Sequence, residues 1–294
     1  MTYSEIWHRI ATSYDDGEAR AIARILIEEL FGLSYTDIVC GATEQLSADD
    51  TLRLDTAVRR IEQGEPLQHV LGYADFCGNR FCVNGSVLIP RPETEWLVDE
   101  GAKLMKGCIA SDETQHKAPH SPKRILDIGT GSGCIAISLK LRLGDAYVEA
   151  WDISEEALRT AQDNADALKA EVVFRKRDAL RADNTAAPWD LIVSNPPYIC
   201  DSERSAMDDN VLLHEPHTAL FVPDDDPLRF YRAIARYALL TLNIGGSLLF
   251  ECNTRYAEAT GTMLRDMGFE EVTVSDDCFN LPRFVRGRKN SHNQ

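Results

Sequence analysis

The chain lacks any long uninterrupted apolar run, although 44% of its 294 residues are hydrophobic. That excludes a membrane-spanning helix, which needs about 20 such residues in a row. There is no C-x-x-C pair among the eight scattered cysteines, of which Cys77 and Cys82 are the nearest two. This argues against a zinc site and for reduced thiols in the cytoplasm. A compact basic patch is also missing. The net charge is −16, and the first 75 residues, with 14 acids against 6 bases, carry half of it. Acidity spread along the chain in this way would repel a phosphate backbone. Arg283, Arg286, Arg288 and Lys289 make a basic tail, which alternate strand positions and a frayed end explain. There is no internal repeat, and Met1-Thr-Tyr-Ser-Glu5, with charges soon after, reads as lacking a signal peptide. What remains is a chain with room for one full α/β domain and a smaller one.

Three parts can be read along it. From Ser4 to Gln63 apolar residues recur at helical spacing, as in Ile22, Ile25, Leu26 and Leu30, and again in Leu54, Ala57, Val58 and Ile61. Ser47 reads as the N-cap of a helix ended by Gly64-Glu65-Pro66, and Leu33 to Asp37 as a loop. The expected boundaries are a helical domain over 1–71, a β-hairpin linker over 72–88 with Phe76, Phe81 and Val83 broken by Gly78-Asn79, and an α/β domain over 89–290. Within the last, a helix is expected near Trp96 to Met105, a flexible surface loop over Lys106 to Lys123, and a long acidic loop without regular pattern, placed to cover the substrate, over Ile199 to Pro227. Trp96 and Trp151 are expected to serve packing.

Chemistry concentrates in two turns. Arg124-Ile-Leu-Asp127-Ile is a short strand that runs into Gly129-Thr130-Gly131-Ser132-Gly133 and then into the helical pattern of Ile135, Ile137 and Leu139. Glycines let the backbone approach a ligand closely at a helix N-terminus. The spacing is G-x-G-x-G; Cys134 stands where a dinucleotide fingerprint needs its third glycine. This turn resembles the first motif of the Rossmann-like methyltransferases that use S-adenosylmethionine. Further strands end at Asp152, placed to accept ribose hydroxyls, and near Asp178-Ala179, placed at an adenine edge. Taken singly, each Asp is an ordinary cap or loop residue.

The second turn, Asn195-Pro196-Pro197-Tyr198, follows the apolar run Asp190 to Ser194, at the carboxyl end of a buried strand where ligands of open α/β sheets bind. The Asn carbonyl can accept a hydrogen bond from an NH2 group, the prolines hold neighbouring carbonyls in fixed directions, and Tyr adds a flat wall. A planar NH2 nucleophile fits such a pocket: a carboxamide or a base's exocyclic amine. Asn-Pro alone is a common turn.

The order of Ile89-Pro-Arg-Pro-Glu-Thr-Glu95, Asp127 to Gly133, Asn195 to Tyr198 and Glu215-Pro216 resembles the protein-glutamine methyltransferases that modify class 1 peptide chain release factors, the PrmC or HemK family. Glu65 to Tyr73 and Asn280 to Arg288 are similar to further parts of that family, so the likeness covers nearly the whole chain. It implies a seven-stranded class I methyltransferase sheet with its last strand antiparallel. It also implies methyl transfer from S-adenosylmethionine to the glutamine of a Gly-Gly-Gln loop, with the release factor as protein substrate docked by the helical domain, and no nucleic acid, membrane or metal. Donor binding would fall to Asp127, Gly129, Thr130, Gly131, Ser132, Gly133, Asp152, Ile153, Asp178, Ala179 and Asn195. Substrate binding would fall to Asn195, Pro196, Pro197 and Tyr198, with Asn195 and Pro196 catalytic. Arg91-Pro-Glu93-Thr94-Glu95 reads equally as a helix start and as a wall of this site. Glu251-Cys-Asn253 departs from a family glycine after the Glu. The chemical alternative is an adenine-N6 methyltransferase, which uses a similar turn on a flipped base.

Overall fold

The computed structural model describes residues 1–112, 122–182 and 188–290. In chain order the elements are α1 (Tyr3–Ile10), α2 (Asp16–Phe31), α3 (Tyr35–Val39), α4 (Ala48–Glu62), α5 (Leu67–Leu71), β1 (Tyr73–Phe76), β2 (Asn79–Cys82), α6 (Glu95–Asp112), β3 (Arg124–Ile128), α7 (Cys134–Leu143), β4 (Tyr147–Asp152) and α8 (Glu155–Leu168). There follow β5 (Val172–Lys176), β6 (Trp189–Ser194), β7 (Ile199–Cys200), α9 (Asp209–His214), α10 (His217–Leu220), β8 (Phe221–Val222), α11 (Arg229–Thr241), β9 (Leu242–Glu251), α12 (Ala257–Asp266), β10 (Phe269–Asp276) and β11 (Pro282–Lys289). They form two compact units, one of Met1–Tyr73, Val83–Gly85 and Met207–Glu215, the other of Ala74–Cys82, Ser86–Ala206 and Pro216–Gln294.

The first unit is helical. Its helices begin where small polar side chains cap free N–H groups: Asp15 on α2 and Ser47 on α4 each accept from the first turn, and α2 stops at Gly32 with φ +66°. Leu33 to Asp37, expected as a loop, contains the start of α3. Ser34 and Asp37 form a capping box, with the Ser34 side chain accepting from Asp37 N and Asp37 accepting from Ser34 N. Five residues are too few to show a helical period, so the box is the only local signal. Ile6, Ile10, Leu26, Ile27, Leu54, Val58 and Ile61 are buried together in its core. Met207–Glu215 joins this unit, an association that no local pattern announces.

The second unit is built on a sheet of order β10-β11-β9-β6-β3-β4-β5, in which β11 runs antiparallel to both its neighbours. Side chains alternate across it. Ile125, Val148, Leu191, Val193 and Leu249 pack on one face with α6 and α7, while Leu126, Ile192, Leu248 and Phe250 pack on the other with α11 and α12. The β1–β2 hairpin sends Phe76 and Phe81 into the first of these cores; its turn is Cys77-Gly78, with φ of +50° and +75°. Trp96 stacks on Phe284 at 4.4 Å, and Trp151 is fully buried with its Nε1–H donating to Glu149 at 2.7 Å.

Two further expectations need correcting. Helix α6 continues to Asp112, so Lys106 to Asp112 is not loop; 113–121 lie outside the described residues. Ile199 to Pro227 is a succession of short elements, with β7 pairing parallel to β8. Helices of one turn leave no readable period, and a strand of two residues leaves none either. The basic tail is consumed within the fold: Arg283 pairs with Asp277, Arg286 with Glu100 and Arg288 with Glu271, and Lys289 donates to Leu242 O.

Candidate active site

A cavity of about 340 Å³ opens at the carboxyl ends of β3, β4 and β6, where an open α/β sheet offers its ligand crevice. The glycine turn forms one side. Gly129, Gly131 and Gly133 all have positive φ. At Gly133 a Cβ would stand 2.9 Å from Ile137 Cδ1 and 3.1 Å from Ala161 Cβ, so close packing of α7 on α8 needs glycine there as well. The turn is pinned by its neighbours. Gly129 and Thr130 donate to Trp151 O at 2.9 Å, Gly131 N donates to Asp152 Oδ2 at 2.9 Å, and Asn164 of α8 donates to Ser132 O at 2.9 Å.

Asp152 lines the cavity and accepts from Ser154 N with its other oxygen. Both oxygens keep a lone pair for ligand hydroxyls, and burial raises its pKa. Ile153, Asp178 and Ala179 line the cavity too. Asp178 also caps the short turn after it, accepting from Leu180 N at 2.8 Å. Asp127, Thr130, Ser132 and Gly133 do not line the cavity. Asp127 is wholly buried behind the turn and accepts from Thr130 Oγ1 at 2.6 Å. Burial without a compensating cation pushes its pKa up to about 7. It meets the turn from beneath, through Thr130.

The other side is the Asn195 turn. Asn195, Pro196 and Pro197 line the cavity. A Cβ on Gly129 would lie 4.0 Å from Asn195 O, so the two turns abut. Tyr198 is turned away to donate to Glu251 Oε1 at 3.2 Å. Burial and the adjoining Glu251 carboxylate raise its pKa. Glu251 Oε2 accepts from Thr94 Oγ1 at 2.7 Å, and Asn195 Nδ2 reaches Thr94 Oγ1 at 3.4 Å. With Nδ2 turned to Thr94, the carbonyl oxygen is the half of the amide left for the cavity.

The sequence points to Thr94 only as part of the Arg91 to Glu95 turn and to Glu251 only beside a missing family glycine, and it does not point to Asn164. Glu251 had a signal, a lone acid at the carboxyl end of the apolar run Leu248-Leu-Phe; Asn164 had none. Pro216, Thr218, Ala219 and Phe221, from the segment expected to cover the substrate, line the cavity, and unforeseen walls come from Ser86 to Leu88 and from Phe230 and Ile234 of α11.

A seven-stranded sheet of this order, with a glycine turn after β3 and an acid at the end of β4, defines a class I S-adenosylmethionine-dependent methyltransferase. Residues 95–220 match the methyltransferase small domain and residues 8–72 the PrmC N-terminal domain. The release factor glutamine methyltransferase of Bacteroides thetaiotaomicron is 43% identical over 94% of this chain and 95% of its own, and that of Flavobacterium psychrophilum 36% identical over 94% of each. The chain belongs to the release factor glutamine methyltransferase family. Among solved structures the hMettl16 catalytic domain, 18% identical, overlays 83% of this chain and 82% of its own with a TM-score of 0.52, a likeness of fold.

Proposed function

We propose that this protein transfers a methyl group from S-adenosylmethionine to the side-chain amide nitrogen of the Gly-Gly-Gln glutamine in class 1 peptide chain release factors. The observation that carries the reading is the abutment of the two turns on one cavity, in a chain whose relatives of matching length are named for that reaction. The cavity suits the donor. Asp152 offers acceptors for ribose hydroxyls, and Ile153, Ala179, Leu180 and Phe230 give an apolar slot for a base beside Asp178. When bound, S-adenosylmethionine supplies a methyl carbon on a positively charged sulfur.

An amide nitrogen is a poor nucleophile because its lone pair is delocalised, so the protein must aim it more than activate it. Asn195 Oδ1 and Pro196 O accept the two amide hydrogens and turn the nitrogen toward the donor side. Alignment of this kind is worth about 7 to 11 kcal/mol at its extreme. Both acceptors also favour the positive charge that develops on nitrogen. The proton leaves to water afterwards, and no general base is required. The helical unit is the surface on which the release factor docks, and the reaction belongs to the cytoplasm.

Against the adenine reading stand the net charge of −16 and the arginines of β11, each spent on an acid. The test is transfer of labelled methyl to purified release factor, beside the same factor with its loop glutamine changed to alanine and beside duplex DNA. Label on the unaltered factor alone is expected; label on DNA would replace this reading with the adenine one.

A further inference from the structure

We infer that Thr94 and Glu251 are positioning residues: a one-way chain of hydrogen bonds, starting at the buried Glu251 carboxylate, turns Asn195 so that its carbonyl oxygen and not its NH2 group meets the amide to be methylated. This rests on the reading of Asn195 as an acceptor given above.

The direction follows from counting protons. An ionised carboxylate only accepts, and a threonine hydroxyl has one proton to give. Thr94 Oγ1 lies 2.7 Å from Glu251 Oε2, so that proton goes to Glu251. Toward Asn195 Nδ2, at 3.4 Å, Thr94 then shows only lone pairs. Asn195 must answer with its NH2 group, which settles which way the amide is flipped. The other carboxylate oxygen takes the Tyr198 hydroxyl proton at 3.2 Å. One carboxylate thereby grips both ends of the four-residue turn, and Asn253 Nδ2 donates to Tyr198 O at 3.3 Å to fix the backbone at its far end.

Packing does not account for this acid. Glu251 is 1% exposed at the end of β9, paired with Phe284 of β11 and next in the chain to Phe250, which stands beside Ser194 of β6. Burying a carboxylate costs stability that an apolar residue of that size would not. The charged and titratable groups around it are Arg283 on β11, itself paired with Asp277, Glu93 from the turn before α6, Tyr198, Cys252 and Tyr231, whose hydroxyl reaches Glu251 O at 3.4 Å. Burial raises the Glu251 pKa, while Thr94, Arg283 and Tyr198 act to lower it. Protonation reverses the chain. A neutral Glu251 donates to Thr94, Thr94 donates to Asn195 Oδ1, and the amide turns its NH2 group to the substrate. Turnover should therefore fall on an acid limb lying above the ordinary glutamate range.

The test compares Thr94→Val, Thr94→Ser, Glu251→Gln and Asn195→Ala in the full chain, by methyl transfer to release factor, calorimetric binding of S-adenosylmethionine and thermal melting. Thr94→Val and Glu251→Gln should lower kcat about ten- to a hundredfold, with donor affinity within about threefold of wild type. Thr94→Ser, which keeps the hydroxyl, should restore kcat, and the acid limb should disappear in Glu251→Gln. Should Glu251→Gln fail to fold, the isosteric Thr94→Val carries the comparison with Thr94→Ser. Wild-type kcat in Thr94→Val, or donor affinity falling in step with kcat, would overturn the inference while a dead Asn195→Ala left the acceptor reading in place. An active Asn195→Ala would overturn the acceptor reading itself.

Discussion

The glycine turn and the Asn195 turn face one cavity and are built by opposite means. The first is backbone. Gly129, Gly131 and Gly133 adopt conformations that side chains resist, and the amides of Gly129, Thr130 and Gly131 are held by Trp151 and Asp152, the end of the next strand along the sheet. The second is side chain. Asn195 and Tyr198 are anchored on Thr94 and Glu251, 101 and 53 residues away respectively. A site made of local backbone should tolerate change at its ligand-facing acid and still turn over. A site made of one oriented amide should not tolerate change at that amide.

The strongest test of this contrast is Asn195→Asp, which keeps an acceptor but loses the NH2 group given to Thr94 and adds charge. Turnover should fall about 10²- to 10³-fold with donor binding retained; wild-type turnover would break the orientation model. Asp152→Ala should do the reverse. Loss of a charged acceptor worth about 1.5–3 kcal/mol weakens donor affinity roughly ten- to a hundredfold, while kcat at saturating donor stays near wild type. If kcat fell and affinity held, the division of labour between the two turns would be wrong.

The support beneath the glycine turn is sharpened by pH. Burial pushes the Asp127 pKa up to about 7 in the folded chain, from an ordinary value of 3.8. Between those values the unfolded chain binds fewer protons, so this group's contribution to stability is lost as pH rises through that window. Asp127→Asn, neutral throughout, should show a flatter dependence of melting temperature on pH over the same range; an unchanged slope would mean that Asp127 is ionised when folded. The smallest effect is expected at Ser194, whose buried hydroxyl donates to Ile128 O at 2.6 Å and ties the strand ends that carry the two turns. Ser194→Ala should cost about 1 kcal/mol in urea melts with little change in either binding or turnover.

Much of the fold was legible because it is periodic. The short apolar runs of β3, β4 and β6, which are buried on both faces, and the helical spacing in α2 and α4 are properties of contiguous residues, so they survive in one dimension. The short elements were not legible: α3 shows only a capping box, and β7, β8, α9 and α10 are shorter than any period. The site divides in the same way. Gly129, Gly131, Asp152, Ile153, Asp178, Ala179, Asn195, Pro196 and Pro197 line the cavity, whereas Asp127, Thr130 and Tyr198, equally visible as motif residues, act behind it.

By itself the sequence determined the longer strands and helices, the positions that require glycine or proline, and the two turns whose residue types match a donor and an NH2 acceptor. These follow from steric and hydrogen-bonding properties that each residue carries with it. Only the tertiary structure decided that Asp127 faces the turn and not the cavity, that Met207–Glu215 joins the helical unit, and that Thr94 and Glu251 converge on Asn195 and Tyr198. Those facts depend on which distant side chains a twisted sheet brings within about 3 Å of one another, and residue spacing along a chain does not encode that meeting.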